Sequence, residues 1–275
     1  MLTSQDQKNK QRTNMVYRLF ATDLDGTLLN REKVLPDHLS EMLDDLIESG
    51  IHVVLATGRM TESVFRLIES MEFRPIIISF QGAHISFPDG NEVRNFLSTE
   101  KIRDIGAFCK KYNLHMHTYG DGKIYSVDVN ELLYRDPDTK FSTIEVIEDF
   151  TVFDKEPTGK IFCVRKTEDI DELTKLLAEE FPDLYVVKSS KDLIEITELK
   201  ANKSNALDTV VKRLNISPCE VVAIGDGLND LPMIEWAGLG LAVGNAHPVL
   251  KSRSNAVMDG EYSEGVAEAI RKYLL

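Results

Sequence analysis

Continuous apolar runs alternate with segments whose apolar positions recur every three to four residues. Val16 to Thr22 (VYRLFAT), Ile51 to Ala56 (IHVVLA) and Ile76 to Phe80 (IIISF) are unbroken runs, and each reads as a buried strand. Between the first two, Asp37 to Ser49 sets Leu39, Met42, Leu43, Leu46 and Ile47 on one helical face, with Gly50 placed to end the helix. Thr61 to Met71 predicts a second helix. The rhythm returns near the other terminus. Lys203 to Leu214 is amphipathic, Val221 to Gly225 (VVAIG) is a buried strand, Leu239 to Val243 and Asn255 to Met258 are shorter strands, and Ser263 to Leu274 is a closing helix. Helices between near-continuous apolar strands predict an α/β fold, with a Rossmann-like parallel sheet covered on both faces.

The middle follows another period. Lys123 to Val129 (KIYSVDV) and Leu193 to Thr197 (LIEIT) alternate apolar and polar positions, with helical stretches at Thr99 to Tyr112 and Asp169 to Phe181. A period of two predicts strands with one wet face, hence an antiparallel or mixed sheet. Residues 86–198 are therefore expected to form an α+β domain inserted into a core built from residues 15–85 and 199–275. Residues 1–14 (MLTSQDQKNKQRTN) are polar, lack the apolar stretch of a signal peptide, and are expected to be a disordered tail.

Composition narrows the function. At 43% hydrophobic and 28% charged residues, the chain is an ordinary globular one. A formal net charge of -13 opposes a nucleic-acid or anionic-membrane partner. It leaves room for a small phosphate ester, because a bound cation can reverse the field inside one cleft. Cys109, Cys163 and Cys219 form no CxxC pair and read as reduced thiols of a cytoplasmic protein. No apolar run reaches the roughly 20 residues that a membrane span needs.

Four motifs carry the chemistry. Asp23-Leu24-Asp25-Gly26-Thr27 follows the first strand, at the strand end where open α/β sheets bind ligands; it is expected on a solvated loop. Ala56-Thr57-Gly58-Arg59 follows the second strand and offers a hydroxyl, backbone N–H groups and a close approach at glycine. Lys203 opens a helix, where the helix dipole favours an anion over a cation, so a lysine there suits a phosphate. Gly225-Asp226-Gly227-Leu228-Asn229-Asp230 follows another strand and supplies the oxygen ligands that a hard cation prefers. Each has a plain alternative: an acidic turn, a Thr-Gly loop, a surface lysine, or an Asx turn with Asp230 as helix N-cap. Four such motifs at strand ends and a helix start exceed what turn chemistry explains.

In this order, DLDGT, ATGR, Lys203 and GDGLND resemble the haloacid dehalogenase superfamily. The inserted segment resembles the cap of its Cof-type branch, as do Gly244-Asn245-Ala246 and Glu264-Gly265-Val266. The resemblance implies a phosphatase in which Asp23 attacks phosphorus and Asp25 is the general acid and base. It implies Mg²⁺ held by the Asp23 carboxylate, the Asp25 carbonyl and Asp226. Leu24, Thr57, Gly58, Lys203 and Asn229 would contact the phosphate, with Asp230 in support. Gln81 stands where the family usually has Asn, and Ser204 where Gly is usual. The cap would read the rest of a sugar phosphate or phosphorylated cofactor, with His115, His117, Tyr119 and Tyr125 as candidates; a metal at His115-x-His117 is not implied. A sugar phosphomutase and a phosphate-binding regulatory protein are the alternatives.

Overall fold

The computed structural model describes residues 16–131, 133–135, 137–140, 142–165 and 169–275. The tail expected at residues 1–14 lies outside them. In chain order the strands begin with β1 (Leu19–Thr22), β2 (His52–Ala56), β3 (Ile76–Ser79), β4 (His84–Ser86) and β5 (Glu92–Arg94). They continue with β6 (His115–Gly120), β7 (Lys123–Ser126), β8 (Thr143–Val146), β9 (Ile161–Val164), β10 (Leu184–Ser190) and β11 (Leu193–Glu198). The last are β12 (Val221–Gly225), β13 (Leu239–Ala242) and β14 (Ala256–Val257). The helices are α1 (Asp37–Glu48), α2 (Thr61–Leu67), α3 (Thr99–Tyr112), α4 (Ile170–Glu180), α5 (Lys203–Leu214), α6 (Leu231–Trp236), α7 (Pro248–Arg253) and α8 (Ser263–Tyr273).

One sheet runs β14-β13-β12-β1-β2-β3-β4-β5. The pairs from β14 to β2 are parallel, while β3-β4 and β4-β5 are antiparallel. Leu19, Phe20 and Ala21 of β1 are fully buried, as expected for a parallel strand covered on both faces. The second sheet runs β10-β11-β9-β6-β7-β8, antiparallel except for β7-β8. The chain thus has an α/β core sheet with an α+β insertion. Contacts divide it into two compact units, residues 1–55, 70–76 and 207–275 in one, residues 56–69 and 77–206 in the other.

Two expectations change. Helix α2 ends at Leu67 rather than Met71, and beyond it the Asp44 carboxylate accepts the N–H groups of Glu72 and Phe73 at 2.9 and 3.0 Å. A side-chain acceptor there replaces the helical carbonyl. The second sheet is also covered at its centre on the face that alternation predicts to be wet, while Val146 and Tyr185 stay exposed at its edges. Its other face packs on α3 and α4 through Ile105, Phe108, Leu173 and Leu177 against Met116, Ile161, Cys163 and Ile194. The face expected to be wet buries Tyr119, Ile124 and Phe162 against Met60 and Phe80. His117, Phe162 and Glu195 stand abreast on that face, and all three are buried.

Candidate active site

In the first unit, strand register delivers the acids. Thr22 of β1 lies opposite Ile224 of β12, so Asp23 emerges beside Gly225, one residue short of Asp226. The Asp23 N–H continues the ladder by donating to Ile224 O at 3.1 Å. One carboxylate oxygen from each of Asp23, Asp226 and Asp230 falls within 4.8 Å of the others. Asp25 and the glycine after it bend the chain into a wide turn, closed by Leu28 N–H to Asp23 O at 3.2 Å and Leu29 N–H to Leu24 O at 2.9 Å. Asn245 fixes this turn from outside: its amide donates to Gly26 O at 2.8 Å, and its oxygen accepts Tyr262 N–H at 2.7 Å.

Gly26 is required twice over. Its φ is +90°, and a Cβ there would sit 2.7 Å from Cγ of Asp226. The Asp226 carboxylate takes that space and accepts the Thr27 hydroxyl at 2.9 Å. Asp230 precedes α6 but does not cap it with its side chain. Its Oδ2 instead accepts the N–H groups of Asp226 and Gly227 at 3.0 and 2.9 Å, which fixes the loop that carries Asp226. Asp23 is 5% exposed, so the expected solvated loop is instead a buried position, enclosed because β1 lies between β2 and β12. Asp25 is half-buried, Asn229 is exposed, and Leu24 is fully buried, which leaves only its backbone available to a ligand.

Three carboxylates this close repel by about 1 kcal/mol per pair in water and more where water is excluded. A cation bound among them would offset that repulsion. Oxygen donors at the ends of two adjacent strands, buried at Asp23 and Asp230 and half-buried at Asp226, fit a hard divalent cation such as Mg²⁺.

In the second unit, the backbone shapes the Thr57-Gly58-Arg59 turn. Thr57 N–H donates to Ile78 O at 2.8 Å, and Thr57 Oγ1 accepts Arg59 N–H at 3.1 Å. The carbonyls of Thr57 and Arg59 accept the N–H groups of Gln81 and Phe80, each at 2.9 Å. Phe80, Gln81 and Gly82 carry successive positive φ values of 49°, 59° and 115°. Glutamine visits this region less readily than asparagine, which is the physical cost of the Gln81 departure. A Cβ on Gly58 would sit 2.6 Å from Gln81 Nε2, so Gln81 packs directly on the turn. Gly82 in turn packs on Asn202, where a Cβ would lie 2.6 Å from the backbone carbon.

Asn202 precedes α5 and caps it, its Oδ1 accepting Asn205 N–H at 2.9 Å and the Ser204 hydroxyl at 2.8 Å. Ser204 thus joins the cap. Lys203, the first helical residue, is 1% exposed, which excludes the surface-lysine alternative. The structure therefore joins the Thr57 turn, the 80–82 turn and the start of α5 into one assembly within this unit.

Of the cap candidates, His117 and Tyr119 lie on the buried polar face of the second sheet. His115 donates toward Asp128 Oδ1 at 2.6 Å. Tyr125 faces the helices, stacked edge-on against Phe153 at 5.5 Å, because its partner in register is Thr118 rather than His117. A cavity of ≈ 360 Å³ in the same unit is lined by Glu62, His84, Arg94, Phe96, Tyr119 and Asp121 among others. His84 donates to or accepts from Thr61 Oγ1 at 2.7 Å, and burial holds it below the ordinary imidazole value against the pull of Glu92. Sequence reasoning missed Lys160, whose Nζ donates to Gly58 O at 2.7 Å. Its only signal is a lysine directly ahead of the apolar run Ile161–Val164. It also missed that Cys109 and Cys163, both free and buried, bring their sulfurs to 3.3 Å.

Comparison with known proteins adds to this geometry. The family model described as haloacid dehalogenase-like hydrolase matches residues 20–270. The 5-amino-6-(5-phospho-D-ribitylamino)uracil phosphatase YcsE of Bacillus subtilis is 30% identical over 266 residues, covering 96% of this chain and 99% of its own. Phosphatase YwpJ of the same organism is 28% identical, covering 94% and 100%. A haloacid dehalogenase-like hydrolase from Bacteroides thetaiotaomicron superposes with a TM-score of 0.85 at 28% identity, over 93% of this chain and 99% of that one.

Proposed function

Because this chain belongs to the haloacid dehalogenase-like hydrolase family and is a phosphoric monoester hydrolase of that family, we propose that it is a Mg²⁺-dependent phosphatase with Asp23 as nucleophile. The observation that carries the reading is the group of Asp23, Asp226 and Asp230, within 4.8 Å of one another at the ends of adjacent strands, with Asp25 one turn position beyond. An isolated acidic turn does not place two strand ends in register to bring carboxylates together.

In this reading the Asp23 carboxylate attacks phosphorus and an aspartyl-phosphate forms as the alcohol leaves. Asp25 gives that alcohol its proton, then takes one from the water that hydrolyses the intermediate. Its half-buried position keeps it open to the leaving oxygen that takes its proton and to the water that returns one. Asp23, Asp226 and the Asp25 carbonyl would hold Mg²⁺, which when bound offsets the repulsion between two anions. Thr57, the Gly58 N–H and Lys203 neutralise charge on the transferring oxygens, with Leu24 and Asn229 as further phosphate contacts. Asp230 keeps the Asp226 loop in place through its two backbone hydrogen bonds.

Residues 15–85 and 199–275 act as the catalytic core in this proposal, and residues 86–198 as the cap that reads the leaving group. The substrate is a small phosphorylated metabolite, either a sugar phosphate or a phosphorylated cofactor or its precursor. The likeness to YcsE puts ribitylaminouracil phosphate on the list to try. Relatives named as phosphatases favour hydrolysis over the phosphomutase and binding-protein readings. Free cysteines accord with a cytoplasmic location, and among the described residues no helix is long and apolar enough to cross a membrane. A panel of phosphorylated metabolites with Mg²⁺, scored by phosphate release and repeated with a chelator, tests the reading. Release from at least one ester, lost on chelation, is expected; activity indifferent to chelation would remove the metal from it.

A further inference from the structure

Lys160 is a buried cation with an unusual setting. It is 3% exposed and, among the described residues, makes no ion pair. Its ammonium lies 4.3 Å from the ring centroid of Phe162, 5.0 Å from that of Tyr119 and 5.9 Å from that of Phe80. Aromatic faces attract a cation, but they do not replace the hydrogen bonds that water gives an ammonium, and burial without them is costly. Among the described residues its hydrogen-bond acceptor is Gly58 O, at 2.7 Å. The backbone of Lys160 is held as firmly as its head group. Its carbonyl accepts the hydroxyls of Thr118 and Thr158 at 2.9 and 3.1 Å. The preceding Gly159 packs so closely on Phe80 that a Cβ would lie 2.7 Å from the ring.

The bond completes a pattern in the turn. The Gln81 and Phe80 N–H groups take the carbonyls of Thr57 and Arg59, and Lys160 takes the carbonyl between them. Three successive carbonyls are thereby committed, each fixing its own peptide plane, and the Gly58–Arg59 plane held by Lys160 adjoins the plane that carries the Gly58 N–H. We infer that Lys160 is a positioning residue: it anchors the Gly58 carbonyl from the second sheet so that the turn keeps the Gly58 N–H turned to a phosphate. The inference rests on the proposed phosphate-binding role of that turn. Lys160 touches no substrate in this scheme and acts through Gly58.

Inorganic phosphate is the probe that isolates this role, because it has no leaving group. Its affinity for the full chain with Mg²⁺ is measured by calorimetry in the wild type and in Lys160→Met, which keeps most of the stem and removes the charge. Loss of a charge-assisted hydrogen bond weakens phosphate at least roughly ten-fold. KM for small and large phosphate esters rises by that same factor, with a smaller change in kcat. Partial restoration of phosphate affinity to Lys160→Ala by ethylammonium would support the role, since a soluble amine does not mend a packing defect. Phosphate affinity unchanged in a folded Lys160→Met, or a KM rise confined to large esters, overturns it. A measurement on the wild type needs no variant to fold: the Gly58 amide resonance is expected to move when phosphate and Mg²⁺ are added, and an unmoved resonance also overturns the inference. The two proposals fail separately. A wild type that binds phosphate without turnover loses the phosphatase reading and still tests Lys160, whereas turnover with unaltered phosphate binding in Lys160→Met loses Lys160 alone.

Discussion

Asp23, Asp226 and Asp230 are the residues on which charge decides the outcome. With no cation bound, their oxygens repel at separations within 4.8 Å, at a cost of about 1–3 kcal/mol for a pair in partly excluded water. Asp226→Asn is therefore expected to raise the melting temperature in chelator by a few degrees. The same variant should lose the further rise that Mg²⁺ gives the wild type, and its Mg²⁺ requirement in turnover should increase. Thermal melts with and without Mg²⁺ check this; a variant with unaltered Mg²⁺ stabilisation would exclude Asp226 as a ligand. These residues stood out because four such motifs fall at strand ends and a helix start in one chain, which turn chemistry alone does not explain. Burial of Asp23 was not legible, because it depends on β12 arriving from a segment nearly two hundred residues away. Lys160 was invisible for a related reason: nothing local to it announces that Gly58 lies at its tip.

At the scale of elements, two glycines hold the strand-end turns. Gly26→Ala brings a methyl onto the Asp226 carboxylate at a φ of +90°. The expected result is a folded protein with a Mg²⁺ requirement raised at least about ten-fold, since the carboxylate proposed as a ligand must move; a Mg²⁺ titration reads it. Gly82→Ala meets backbone instead, 2.6 Å from the carbonyl carbon of Asn202 at a φ of +115°. A backbone neighbour cannot swing aside, so the loss should exceed about 2 kcal/mol, measured by denaturant unfolding. Wild-type stability in Gly82→Ala would show that the 80–82 turn is not braced on the start of α5. Periodicity placed the long helices nearly to the residue, α3 and α5 among them, since each is long and strongly patterned, but it began the first strand at Val16, which is exposed, where β1 starts at Leu19. It failed where a side chain competes for backbone, as Asp44 does after α2. It also failed where a polar row is covered by another segment, as on the second sheet.

For the whole molecule, stability should fall in mild acid. Burial lowers the pKa of His84, and burial together with Arg18 lowers that of His52. A depressed histidine binds fewer protons folded than unfolded, so stability is full above the ordinary value near 6.5 and is lost as pH falls below it. The melting temperature should drop between about pH 6.5 and 5, and His84→Gln should flatten part of that slope; an unchanged slope would show that His84 does not report the fold. The overall plan, an α/β sheet interrupted by a second sheet, was readable because the hydrophobic period itself changes from strand-and-helix to alternating and back. What the second sheet recognises was not, since alternation says which residues share a face and not what covers it. The account's central claim, that Asp23 carries the phosphoryl group, is tested most directly by trapping. An activated aryl phosphate leaves without help from an acid, so Asp25→Asn should still phosphorylate Asp23 but fail to activate the water that removes the group. Rapid quenching followed by borohydride reduction should convert Asp23, and no other carboxylate, to homoserine in the peptide that spans it. A phosphoryl group found on another residue, or full turnover of the aryl ester by Asp23→Asn, would contradict the account.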